Sequence, residues 1–164
     1  MVVKDVVGTL ARLGLAAVWL VSGGLKAVDP EQAYLAVAAF DVLPSGAVSP
    51  VASALPFVEL ALGLLLVVGF GTRPVAVVSA VLLVAFVAGV AQAWARGLSI
   101  DCGCFGGGGA VAPSETRYPQ EIARDTAFLA LAAWLMVRPR TLLAADGLVG
   151  PPRRVTEDVA QDGV

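Results

Sequence analysis

The sequence predicts an all-α integral membrane protein, a four-helix bundle with both termini cytoplasmic and a short extracytoplasmic helix between its first two spans. Three observations carry this. The 164 residues are 58% hydrophobic and 15% charged, with a mean hydropathy of +0.84, where a soluble domain is nearer ~45–50% apolar and ~25% charged. Four apolar segments of spanning length, about 6–26, 50–70, 74–96 and 119–138, are separated by glycine, proline and charged residues. The lysines and arginines divide unequally between the two sides that these segments define. One domain is expected at this length, about 1–143, followed by a polar tail at 144–164.

The first span starts near Val6, with Lys4 and Arg12 at its beginning and Trp19 further along. It is longer than the ~7–15 apolar residues of a secretory signal and no small-x-small cleavage pattern follows, so it reads as a retained helix. Asp29-Pro30-Glu31 then reads as a helix start: Asp29 as N-cap, Pro30 at the first helical position and Glu31 in the first turn. The stretch to Phe40 is too short to span, and reads equally as an interfacial helix or as one packed on the bundle.

Ser49-Pro50 opens the second span, and Pro56 inside it is expected to loosen one turn. A helix starting at Pro56 would be about 22 Å long, short for a ~30 Å hydrocarbon core, whereas starting near Pro50 gives about 31 Å. The turn Gly69 to Arg73 is tight, which makes spans two and three antiparallel neighbours. The fourth begins near Pro119 and stops at Val137-Arg138-Pro139, after which the chain becomes polar and is expected to be mobile. No repeat of 20–50 residues is present in the sequence. Lys4, Arg12, Arg73, Arg138, Arg140, Arg153 and Arg154 fall on one side, seven of the eleven basic residues, and Lys26, Arg96, Arg117 and Arg124 on the other. That asymmetry puts the termini in the cytoplasm of a prokaryote and the 97–118 loop outside the plasma membrane.

The loop holds Ser99-Ile100-Asp101-Cys102-Gly103-Cys104-Phe105-Gly106, with the chain's two cysteines, and Gly107 to Gly109 follow. Three readings compete: inert thiols, half of an intersubunit metal site, and a redox pair. A zinc or iron–sulfur site takes about four N/S ligands, and with no histidine and no third cysteine no metal site is expected within one chain. A Cys-x-Cys bridge closes a very small ring that is hard to relax, and strained bridges are the readily reduced ones. Gly103 supplies the backbone freedom such a ring needs. The disulfide chemistry is sustainable outside the cytoplasm. The run Gly106 to Gly109 either folds the loop over a pocket or is a flexible tether.

Composition also excludes function classes. Zero histidines rule out His-ligated haem, copper or non-haem iron and any His-based triad within this chain. A net charge of −2 gives no basic footprint for nucleic acid. The remaining polar residues gather toward the loop end of the bundle. Ser22 and Lys26 share a face of span one, Gln92 and Arg96 a face of span three, and Glu121, Arg124 and Asp125 open span four. Lys26, Arg96 and Arg124 read equally as snorkelling charges. Glu59 lies about 13 Å into span two, too deep to snorkel, and points to proton handling or to a buried pair with Lys26 or Arg96.

Ser22-Gly23-Gly24-Leu25-Lys26 with Asp29-Pro30, Pro56-Phe57-Val58-Glu59-Leu60 with Gly63, and above all Cys102-Gly103-Cys104-Phe105-Gly106 resemble the MauE/DoxX-like membrane proteins. The last run looks like the methylamine-utilisation MauE branch, and the resemblance covers about residues 8–138, including Arg124-Asp125. It implies a four-helix membrane protein that works beside a thioredoxin-like periplasmic partner in disulfide handling, and, through the DoxX side, coupling to the quinone pool. The partner is then a separate chain. Nothing in the residues is specific to methylamine.

The expected function is therefore a membrane-embedded thiol–disulfide relay. Cys102 and Cys104 exchange disulfides with the partner, Glu59 handles protons, and Lys26, Gln92, Arg96 and Arg124 line a quinone site. The alternative is a non-catalytic accessory or scaffold subunit of a larger membrane complex, whose Cys pair only fixes its loop and whose Ala-, Val- and Gly-rich faces suit close packing with other chains. In either reading the chain contacts membrane lipid. A transporter is disfavoured, because four spans are few and no paired broken helices mark a repeat.

Overall fold

The computed structural model describes residues 2–139, 141, 142 and 144–146. Among these are five α-helices: α1 (Val2–Val28), α2 (Pro30–Ala39), α3 (Ser45–Val68), α4 (Thr72–Ala95) and α5 (Tyr118–Val137). Helices α1, α3 and α4 are long and apolar enough to cross a membrane. Helix α5 has 20 residues and carries Glu121, Arg124 and Asp125 in its first two turns. Helix α3 begins five residues ahead of the expected Pro50, with Pro44 as its N-cap, so both Pro50 and Pro56 lie inside it.

The four long helices pack in antiparallel pairs, α1 on α3 and α4 on α5, and α1 also touches α5. Their shared core contains Leu15, Trp19, Leu62, Leu66, Leu83 and Leu135, while large apolar side chains such as Leu10, Phe57, Leu64 and Val81 point outward. That inside-out distribution suits a lipid surround, since hydrocarbon solvates an outward Leu as well as a core does. Close approach of α1 and α3 depends on Gly63, where a Cβ would come within 2.7 Å of Leu20. Trp19 keeps its indole N–H satisfied by donating to Ser79 Oγ at 2.9 Å, as a buried Trp must.

Helix α2 starts as its sequence dictates, Asp29 accepting a hydrogen bond from the Gln32 N–H at 3.0 Å with Pro30 behind it. It lies on the bundle through Ala33 and Ala36. At the opposite end, Arg12 donates to the C-terminal carbonyls of α3, Leu66 O at 2.7 Å and Val67 O at 3.0 Å, and to Leu142 O at 3.1 Å. Of the polar C-terminal stretch, Asp146 accepts from the N–H groups of Gly71 and Thr72 at 2.7 and 2.9 Å, capping α4 from outside the helix. Residues 147–164 lie outside the described residues.

Candidate functional site

The loop between α4 and α5 is an ordered ribbon. Strand β1 (Ile100–Asp101) pairs antiparallel with β2 (Gly109–Ala110), so Gly106 to Gly109 form the return of a hairpin and not a loose tether. Tyr118, the first residue of α5, anchors it: its hydroxyl accepts from the Ile100 N–H at 3.0 Å and donates to Leu98 O. Val90, Ala93, Ile100 and Tyr118 make a second apolar cluster, and Cys102 and Cys104 belong to it. Helix α2 covers the ribbon, with Gln32 Nε2 donating to Gly108 O. Gly103 could be no other residue: its φ is +67°, and a Cβ there would lie 2.6 Å from that of Ala36. The Asp101 carboxylate receives the Gly103 N–H at 2.8 Å and sets the turn between the cysteines.

Both cysteines are free thiols and buried, and they approach one another to 3.0 Å. The Cys104 N–H points at Cys102 Sγ, 3.4 Å away, and Arg124 Nη2 donates to the same sulfur at 3.5 Å. The thiols titrate apart. The Cys104 thiol donating to Cys102 is the largest influence lowering the Cys102 pKa, with the Cys104 N–H and Arg124 adding to it against burial. The same thiol contact, followed by burial, drives Cys104 well above the ordinary thiol value. Cys102 is thus the sulfur that carries negative charge more readily. Arg124 is held by Asp125 Oδ1 at 3.0 Å and by the ring of Phe105, 4.8 Å from its guanidinium carbon.

Behind the cysteines lies a buried triad of α1 and α3. Lys26 Nζ reaches both Glu59 oxygens at 3.0 Å and Ser22 Oγ at 2.6 Å, and Ser22 donates to Glu59 Oε2 at 3.1 Å. Glu59 is 0% and Lys26 7% exposed. Of the two cations expected as partners for Glu59, the fold delivers Lys26, because α1 packs directly on α3. Arg96 goes elsewhere: it binds Asp41 Oδ2 at 2.6 Å and, with Gln92, the Phe40 carbonyl. Gln92 and Arg96 therefore tie the α2–α3 connection to α4, and the structure does not bring them to the cysteines.

Two cavities share Cys102. One, about 280 Å³, is walled by Phe40, Leu55, Phe86, Val90 and other apolar side chains, with Lys26, Cys102 and Cys104 as its polar points. The other, about 450 Å³, is polar, with Asp101, Arg117, Gln120, Glu121, Arg124 and Cys102 at its surface. Reading the sequence alone missed Glu121 as a site residue, although one α-helical turn separates it from Arg124. It is buried with Oε2 unpartnered. With Asp101 and Cys102 it presents three donor atoms within 4.8 Å of one another, the one such cluster among the described residues able to hold a metal ion. A cationic guanidinium on the same sulfur works against a divalent ion there.

The family described as "Methylamine utilisation protein MauE" matches residues 4–138. A protein of Paracoccus denitrificans named "Methylamine utilization protein MauE" is 41% identical over 98 residues, covering 59% of this chain and 53% of that protein, so the chain spans about half the length of this curated relative. No solved structure matches.

Proposed function

The chain belongs to the MauE family of membrane proteins, and from that premise we propose that it is a thiol–disulfide relay embedded in the plasma membrane, exchanging electrons with a thioredoxin-like extracytoplasmic protein. The observation that carries this is the contact of two buried thiols at 3.0 Å, one of them hydrogen-bonded by Arg124. In the exchange, a thiolate of one protein attacks a disulfide sulfur of the other, the S–S bond breaks and a mixed disulfide forms. The second thiolate of the attacking pair resolves it, leaving that pair bridged and the other reduced by two electrons and two protons. In the proposed topology α1, α3, α4 and α5 span, both termini are cytoplasmic and the Cys ribbon lies outside. The seven-to-four division of basic residues supports it.

The lining of the apolar cavity is of the kind a quinone ring would take, with Lys26 as its single cation. A quinone bound there supplies a two-electron, two-proton acceptor. Lys26 would then be the cation beside the quinone, and Glu59 and Ser22, which accept from its ammonium, would orient it and hold a proton behind it. The process is methylamine utilisation by the names of the relatives; no residue of the site is specific to an amine. The accessory-subunit reading rests on outward apolar faces that lipid covers equally well.

The test is to reduce the purified protein, titrate it with a short-chain ubiquinone analogue, and count free thiols by alkylation and mass. Two thiols lost per chain, with one analogue reduced, is the expected result. Thiols that stay fully alkylatable overturn the quinone step. A Cys104→Ser variant that traps no thioredoxin-like protein in the extracytoplasmic fraction overturns the relay.

A further inference from the structure

The two cysteines do not stand in equivalent places. Cys102 borders both cavities, whereas Cys104 borders only the apolar one. Cys102, Phe105 and Arg124 line the polar cavity, with Arg124 touching both the Phe105 ring and Cys102 Sγ. We infer that the pair has a fixed division of labour: Cys102 alone forms the mixed disulfide with the external partner, through the polar cavity, and Cys104 is the resolving sulfur.

This rests on the relay reading and deepens it. Starting from the free dithiol, the Cys102 thiolate attacks one sulfur of the partner's disulfide. The partner's S–S bond breaks and its other sulfur leaves as a thiolate. Cys104 then gives up its proton and attacks Cys102 Sγ, the mixed disulfide breaks, and the partner's second thiolate is released. The pair ends oxidised and the partner takes two electrons and two protons. The reverse direction passes through the same mixed disulfide, so the assignment holds for either flow of electrons.

The surroundings of each sulfur favour this order. Arg124 donates to Cys102 and not to Cys104, and Arg117 lines the same cavity, while Asp101 and Glu121 face Cys102 with negative charge. Cys102 holds its thiolate below the ordinary thiol value, chiefly through the Cys104 thiol, while Cys104 is held protonated by that contact and by burial. A sulfur that gives up its proton more readily and lines the polar cavity, backed by one that lines only the apolar cavity, is an arrangement that keeps a dithiol from reacting at the wrong sulfur.

The experiment uses the full chain in detergent, reduced, with 5,5′-dithiobis(2-nitrobenzoate) as the disulfide probe and released thionitrobenzoate as the readout. Wild type is expected to release two equivalents per chain and end bridged. Cys104→Ser is expected to release one equivalent at a rate close to the wild-type first phase and to retain one aryl thiol on Cys102, mapped by mass. Cys102→Ser is expected to react at least about tenfold more slowly. Equal rates in the two single variants, or a faster Cys102→Ser, overturn the division and leave the relay standing. Thiols in wild type that react no faster than an unfolded control overturn the relay itself. Arg124→Gln separates chemistry from folding: with the helical circular dichroism unchanged, it raises the pH midpoint of Cys102 reactivity in the Cys104→Ser background. A midpoint that does not move removes Arg124, and with it the polar cavity, from the assignment.

Discussion

Arg12 and Lys26 are both buried cations of α1, 2% and 7% exposed, roughly 21 Å apart along one helix. At the turn end, Arg12 spends its donors on backbone carbonyls of α3 and on Leu142, and no cavity described above reaches it. At the loop end, Lys26 pairs with a carboxylate and a hydroxyl and still borders an apolar cavity that touches both thiols. Burial and charge are alike at the two ends; what differs is whether space remains beside the charge. A buried cation closed in by carbonyls is a clamp, and one that faces a cavity leaves room for a ligand beside it. That contrast can be broken or sharpened by substitution.

The largest expected effect is on exchange. Replacing both cysteines by serine should reduce disulfide exchange with the partner to background, at a cost in unfolding free energy of about 1–3 kcal/mol for each hydroxyl buried in the apolar cluster. Next, Lys26→Met strands Glu59 with 0% exposure, and unfolding in micelles should show a loss of about 3–5 kcal/mol. Lys26→Met with Glu59→Leu should recover most of that stability without recovering quinone-analogue reduction. Recovery of both would reduce the triad to a structural pair like the one at the other end.

Arg12→Met leaves the α3 carbonyls without their donor, for an expected cost of about 2 kcal/mol and no change in thiol exchange at matched folded fraction. A selective loss of exchange would show that the ends are coupled. Asp146→Ala should be smallest, about 0.5–2 kcal/mol for an N-cap. Burial opposes the Asp146 charge, but the Thr72 and Gly71 N–H groups overcome it and hold the pKa below the ordinary Asp value. Its contribution is therefore fully present above that ordinary value, about 3.9, and is lost as pH falls through the lowered folded one. Acid titration of the unfolding midpoint in wild type against Asp146→Ala checks the sign, since the two curves should converge at low pH.

Much of the molecule is legible as sequence because it is decided locally. Run length and composition mark the segments that become α1, α3, α4 and α5, Asp29-Pro30 marks the start of α2, and Cys-Gly-Cys marks the loop between α4 and α5. The start of α3 escaped because Pro50 looks like a first-turn proline, and the chain instead begins the helix at Ser45 under Pro44. Whether Gly106 to Gly109 tether or fold depended on Tyr118 and Gln32 reaching them from other helices.

By itself, then, the sequence determined the helical class, the long apolar segments, the family and the position of the Cys-Gly-Cys run, since each is written in neighbouring residues. Only the tertiary structure decided that Glu59 meets Lys26, that Gln92 and Arg96 serve the α2–α3 connection, that Glu121 joins Cys102, and that Cys102 borders both cavities while Cys104 borders only the apolar one. Helix spacing says which residues share a face. The angle and depth at which one helix packs on another says what that face meets, and that is set by contacts such as Gly63 on Leu20, distant in the chain.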